Sequence, residues 1–91
     1  MWCLYIIKHS FTKELYFGVT NNLERRLLAH NGGKNISTKR KNGKWSYVYV
    51  EMYLSKSDAF DREKKIKQHG SAKHELKKRI AKSLLDSTGA G

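Results

Sequence analysis

The chain has 91 residues, of which 19 are Lys or Arg and eight Asp or Glu, giving a formal charge of +11 with 38% apolar residues. This length leaves room for one core and no second domain, expected over residues 1–85 with residues 86–91 as a frayed tail. The charge favours polyanionic partners, nucleic acid first, and the clustering of the apolar residues into blocks excludes a disordered chain.

The positive charge is not confined to a tail: residues 1–45 carry nine basic and two acidic side chains, residues 46–91 ten and six. Cys3 is the only cysteine, which excludes an intrachain disulfide and a cysteine-based zinc site. His9, His30, His69 and His74 show no metal-site spacing, so no zinc is expected. The apolar start from Trp2 to Ile7 is too short to cross a bilayer and lacks the basic lead and cleavage site of a signal peptide. A soluble cytoplasmic protein without a membrane partner is expected, with a monomer as the favoured state.

Trp2 to Ile7 is a short β-favouring run, and Leu15 to Val19 is a second one after the polar stretch His9 to Glu14, which together predict an antiparallel hairpin. Thr20-Asn21-Asn22 supplies N-capping side chains for a helix carrying Leu23, Leu27 and Leu28, which Asn31-Gly32-Gly33 terminates. Gly32 to Lys44 is polar, basic and glycine-bearing, and reads as a loop. From Trp45 to Tyr53, Tyr47, Tyr49, Glu51 and Tyr53 alternate with Val48, Val50 and Met52, the period of a half-buried strand. Ser55 or Ser57 caps a second helix through Lys67, and Gly70-Ser71 separates it from a third that runs to about Leu85. The order ββαβαα predicts an α/β (α+β) fold, helices flanking a small antiparallel sheet.

Several residues break the pattern of their own element. Ala59, Glu63 and Ile66 share a helix face, so Glu63 lies on an apolar stripe, where a carboxylate needs a partner or a cation. A glutamate at the stripe's edge paired with a neighbouring lysine fits the same spacing. Arg26 and His30 stand one turn apart beside the Leu23/Leu27 stripe, suited to a phosphate or to a surface ion. Tyr5 and Tyr16 share a sheet face if the strand register sums to an odd number, with Gly18 leaving space above them; amphipathic core tyrosines would look the same. Lys34, Lys39, Arg40, Lys41 and Lys44 form a basic loop suited to backbone phosphates, or simply to water.

Cys3-Leu4-Tyr5 and Tyr16-Phe17-Gly18, with ten residues between the tyrosines, resemble the two tripeptides of the GIY-YIG nuclease family. The stretch from Thr20 to Asn31 resembles that family's arginine helix and Arg62 to Lys67 its glutamate helix, so the likeness covers roughly residues 2–82. The chain is most similar to small stand-alone bacterial members related to the nuclease domain of the excision-repair incision protein. Cys3 and Phe17 depart from the tripeptides, Val19 stands where the excision-repair branch has a lysine, and His74-Glu75 where some members have an asparagine.

The resemblance implies a three-stranded antiparallel sheet flanked by helices, with Tyr5, Tyr16, Arg26, His30 and Glu63 facing one cleft. It implies an endonuclease of DNA, acting in repair or processing, with Mg2+ or Mn2+ held by Glu63 and products with 5′-phosphate and 3′-hydroxyl ends. In that scheme Arg26 offsets charge on the phosphate, one tyrosine activates water and His30 supports it. The sequence does not choose between the tyrosines. Two other readings stand beside it: a nucleic-acid-binding module with little turnover, and a basic RNA-associated protein.

Overall fold

The computed structural model describes residues 1–86. The strands are β1 (Trp2–His9), β2 (Leu15–Thr20) and β3 (Trp45–Tyr53), and the helices α1 (Leu23–Asn31), α2 (Lys56–Gln68), α3 (Gly70–Arg79) and α4 (Ala81–Asp86). The three strands form one antiparallel sheet in the order β2-β1-β3. This is the expected α/β arrangement of a small antiparallel sheet flanked by helices. The expected tail falls almost wholly outside the described residues.

β1 is central, and Cys3 to Ile7 are buried on both of its faces, which is why it reads as an unbroken apolar run rather than an alternating one. On one face Leu4, Ile6 and Phe17 pack against Ile66 of α2, Leu76 of α3, and Ile80. On the other, Tyr5, Ile7 and Trp45 pack with Leu23 and Leu27 of α1. Cys3 is a buried packing residue.

Three local features depart from the sequence reading. The third predicted helix breaks at Ile80, whose amide still bonds the Leu76 carbonyl, so that α3 and α4 follow separately. The expected loop contains a short 3-10 turn, Ile36–Thr38, capped by the Asn35 side chain. The alternation along β3 is interrupted: Ile6 pairs with Tyr49 but Ile7 with Tyr47, a bulge that leaves Val48 as the extra residue. Tyr47 therefore joins the α1 face, whereas Tyr49, Glu51 and Tyr53 stay on the α2 face.

That second group ties α2 down. Arg62 grips the Glu51 carboxylate with two nitrogens, at 2.9 and 3.1 Å, and the Tyr49 and Tyr53 hydroxyls donate to the same group at 2.8 and 2.7 Å. Burial pulls the Glu51 pKa upward, but the hydrogen bonds from Arg62, Tyr53 and Tyr49 outweigh it and hold the carboxyl below its ordinary value. Ser55, not Ser57, caps α2. With the helix rotation fixed by Arg62, the next residue, Glu63, sits between buried Ala59 and Ile66 along α2.

Gly18 stands opposite Tyr5 in the β1–β2 pair. A Cβ there would lie 2.6 Å from the Tyr5 ring carbon that bears the hydroxyl, closer than any relaxed contact. Gly18→Ala is therefore expected to push Tyr5 off its position and to destabilise the fold by about 1–3 kcal/mol, the usual cost of overpacking. Thermal unfolding of the variant checks this, and an unchanged melting temperature contradicts it.

Candidate active site

Tyr5 lies on β1 and Tyr16 on β2, and the register Tyr5↔Gly18 and Ile7↔Tyr16 puts both on the face covered by α1. The register sum is odd, as the sequence reading required. Tyr5 is wholly buried, and Tyr47 packs edge-on against it with ring centres 5.5 Å apart. The Tyr47 hydroxyl donates to the Leu23 carbonyl at 2.6 Å, which anchors the start of α1 over the sheet.

From α1, Arg26 Nε donates to the Tyr5 hydroxyl at 3.0 Å, and His30 Nε2 lies 2.7 Å from the same oxygen. His30 is as buried as the core, not a surface group. Its ring packs edge-on against Tyr16 with centres 5.1 Å apart. Burial first, and the Arg26 charge second, push the His30 pKa down to about 4, so the imidazole is neutral near pH 7. Burial raises the Tyr5 pKa, although the Arg26 hydrogen bond and charge work against it, so Tyr5 rests as a neutral phenol. The bond to Tyr5 in turn raises the pKa of Arg26.

Glu63 approaches from α2, the helix on the other side of the sheet. Its carboxylate is 3.4 Å from the Lys67 ammonium, which itself lies 5.8 Å from the Tyr16 ring centre, and its charge acts on the Tyr5 phenol. The lysine pairing anticipated from the sequence is present. Glu63 keeps 20% of its side chain exposed. Among the described residues no group of three or more His, Cys, Asp or Glu gathers to hold a metal.

The basic loop is more ordered than its composition suggests. Arg40 is committed to a two-point bond with Glu14, at 2.7 and 3.2 Å, and lies 5.6 Å from the Trp45 ring centre. Lys34 instead lines, with Trp2, Arg25 and Arg26, a cleft of about 400 Å3 beside β2. Arg25 had no place in the sequence reading, and its only signal was adjacency to Arg26. Thr38 was also missed: its Oγ1 is 2.7 Å from His30 Nδ1, fully buried. A lone threonine in a polar stretch carries no sequence mark of such a contact.

The 3-10 turn that bears Thr38 is clamped from the sheet. Trp45 Nε1 donates to the Thr38 carbonyl at 2.8 Å, and the Asn31 side chain bonds both the amide and the carbonyl of Trp45, at 2.7 and 3.0 Å. Asn31 in this way does the work of a neighbouring strand.

A family profile described as the GIY-YIG catalytic domain matches residues 1–79. Among similar proteins, UPF0213 protein OB0043 of Oceanobacillus iheyensis is 43% identical over 62% of this chain and 65% of its own length. UPF0213 protein NP_0776A of Natronomonas pharaonis is 39% identical over 82% of this chain and 81% of its own. UPF0213 protein YhbQ of Escherichia coli is 34% identical over 99% of this chain and 81% of its own. No solved structure matches.

The depressed pKa of His30 has a consequence for stability. Between the ordinary value of 6.5 and about 4, the unfolded chain binds a proton at His30 that the folded protein refuses. The stabilisation is complete above the first value and drains as pH falls toward the second, up to about 3 kcal/mol. Wild type is expected to lose more melting temperature than His30→Gln between pH 7 and pH 4. Parallel pH dependences of the two proteins would contradict it.

Proposed function

The chain belongs to the GIY-YIG catalytic domain family, a family of nucleases, and we propose that it is a divalent-metal-dependent endonuclease that hydrolyses phosphodiester bonds of DNA. The observation that carries this reading is Arg26, held through Nε by a buried phenol at 3.0 Å while it lines a cationic cleft with Arg25 and Lys34. A guanidinium fixed at one nitrogen is preorganised to donate to a phosphate with the others.

Glu63 is the residue that would hold the cation. A single hard carboxylate, partly open to solvent and in a loose pair with Lys67, suits Mg2+ or Mn2+, which keep most of their ligands as water and phosphate oxygens. When bound there, the cation supplies Lewis-acid polarisation of the phosphate and stabilisation of the leaving oxygen. Arg26 neutralises charge that grows on the phosphate. Burial separates the two tyrosines: Tyr5 has no exposed surface and holds Arg26 in place, whereas half-buried Tyr16 meets and orients the attacking water and takes its proton as phenolate, having first released its own proton to solvent. Neutral His30 supports both phenols. Lys34, Lys39, Lys41 and Lys44 hold backbone phosphates; Arg40, tied to Glu14, adds charge rather than reach.

Residues 1–85 act in this reading as one domain, a cytoplasmic monomer with a role in DNA repair or processing. Among the described residues no helix is long and apolar enough to cross a membrane.

Incubation of the purified protein with plasmid, single-stranded DNA and RNA, in Mg2+ or EDTA, tests the proposal. Metal-dependent cleavage of DNA is expected, and Glu63→Gln should lower the single-turnover rate by roughly 100-fold or more while DNA binding and folding persist. Retention of DNA without cleavage would instead identify a binding module, and selective action on structured RNA an RNA-associated protein. Wild-type rates from folded Glu63→Gln across a Mg2+ titration would displace the metal from this residue.

A further inference from the structure

We propose that Thr38 is a positioning residue which accepts a hydrogen bond from His30 Nδ1–H, holds that ring against Tyr5 and so sets the aim of Arg26. The inference rests on the nuclease reading for its consequence but not for its geometry.

Four groups form one buried chain. Thr38 Oγ1 lies 3.4 Å from the Asn35 carbonyl and 2.7 Å from His30 Nδ1; His30 Nε2 lies 2.7 Å from the Tyr5 hydroxyl, which lies 3.0 Å from Arg26 Nε. Thr38, His30 and Tyr5 are each exposed by 1% or less, so water cannot supply missing partners. The two ends of the chain have fixed polarity. The Asn35 carbonyl can only accept, and the Arg26 Nε–H can only donate.

Two proton arrangements of a neutral imidazole are then open. In the first, Thr38 donates to Asn35 and accepts from His30 Nδ1–H, which leaves Nε2 free to accept the Tyr5 proton. The Tyr5 oxygen then presents a lone pair to Arg26, and every polar atom has a partner. In the second, Thr38 donates to Nδ1 and His30 donates from Nε2 to Tyr5. The Tyr5 oxygen would then receive two donors while its own proton has no acceptor, and the Asn35 contact would be lost as well. A buried hydroxyl proton without an acceptor bears its full desolvation penalty, so the first arrangement prevails.

The polarity therefore runs in one direction, from Arg26 through Tyr5 and His30 to Thr38 and the Asn35 carbonyl. Without the Thr38 oxygen, Nδ1–H is a buried donor with no acceptor, and reversing the imidazole gives no relief because it strands the Tyr5 proton as well. The ring finds a new partner only by leaving its place, which takes Nε2 away from the Tyr5 proton and frees that hydroxyl to turn. The guanidinium then loses the contact that holds it over the cleft. The clamps on the Thr38 backbone from Trp45 and on Asn35 through the turn keep the oxygen in register with Nδ1.

The test is nitrogen-15 NMR of histidine-labelled protein at pH 7, joined to single-turnover cleavage. Wild-type His30 is expected to show a pyrrole-type Nδ1 and a pyridine-type Nε2. Thr38→Val, equal in shape but without the hydroxyl, should displace or broaden the His30 resonances as the ring leaves its place and lower the cleavage rate roughly 10- to 100-fold, with DNA affinity little changed. Thr38→Ser should restore the wild-type signature and most of the rate. A pyridine-type Nδ1 in wild type overturns the proposal, as does Thr38→Val with wild-type spectrum and rate. Should Thr38→Val fail to fold, the wild-type and Thr38→Ser spectra still decide. Should wild type cut nothing, the nuclease reading fails alone: the tautomer, and an Arg26 Nε–H resonance present in wild type and displaced in Thr38→Val, judge the positioning role independently.

Discussion

One oxygen atom organises this molecule. The Tyr5 hydroxyl, buried at the centre of the sheet's α1 face, is the meeting point of Arg26 and His30 and sits over a glycine that leaves it room. A phenol with no access to water must satisfy both its donor and its acceptor inside the protein, and here it does so with two residues one turn apart on a single helix. That requirement locks α1 onto β1 more tightly than its apolar contacts, Leu23 and Leu27, would alone. It also means that packing and candidate chemistry are not separable here: the residue that fills the core is the one that orients the charge.

The opposite side of the sheet contributes by a different device. Glu51 carries a negative charge in a half-buried place, compensated by Arg62 and two tyrosine hydroxyls. A network so fully satisfied is one of the few in which a buried ion pair specifies geometry rather than merely costing desolvation. What it specifies is the rotation of α2, and hence the place of Glu63 relative to tyrosines that belong to the other face. The proposed site thus straddles the sheet, with its basic and aromatic members on one side and its carboxylate offered from the other.

The elements were largely legible because their signals are local. An apolar run, a capping Asn22 and a capping Ser55 all follow from neighbouring residues, and they carried the sheet and the helices; the odd register of Tyr5 and Tyr16 was open in the sequence, and their grouping with Arg26 and His30 came from the family resemblance. What was illegible depends on distant partners. The bulge at Val48 has no glycine or proline to mark it and exists because β3 must satisfy β1 on both faces. The break at Ile80 likewise lies within a sequence that could continue as a helix. Thr38 acquires its place from a turn clamped by Trp45, seven residues on, and Arg40 from Glu14 in the preceding hairpin connection, 26 residues back. Glu63 illustrates the limit most clearly: its sequence readings were a carboxylate awaiting a cation and a partner of a neighbouring lysine, and the pair with Lys67 leaves the carboxylate partly open.

The clamp between Asn31 and Trp45 bears on how the molecule assembles. The β1–β2 hairpin closes over a short span, but β3 must return across the chain to pair with β1, a slow, non-local step. Until Trp45 arrives, the turn with Thr38 has no anchor, and the imidazole of His30 lacks one of its two partners. A partly folded chain with its hairpin and first helix in place therefore holds Tyr5, Arg26 and His30 with the Nδ1 side of the imidazole unanchored. The contacts at this candidate site are completed only with the docking of the last strand, so a chain that lacks it presents positive charge to a polyanion before it presents the assembled arrangement.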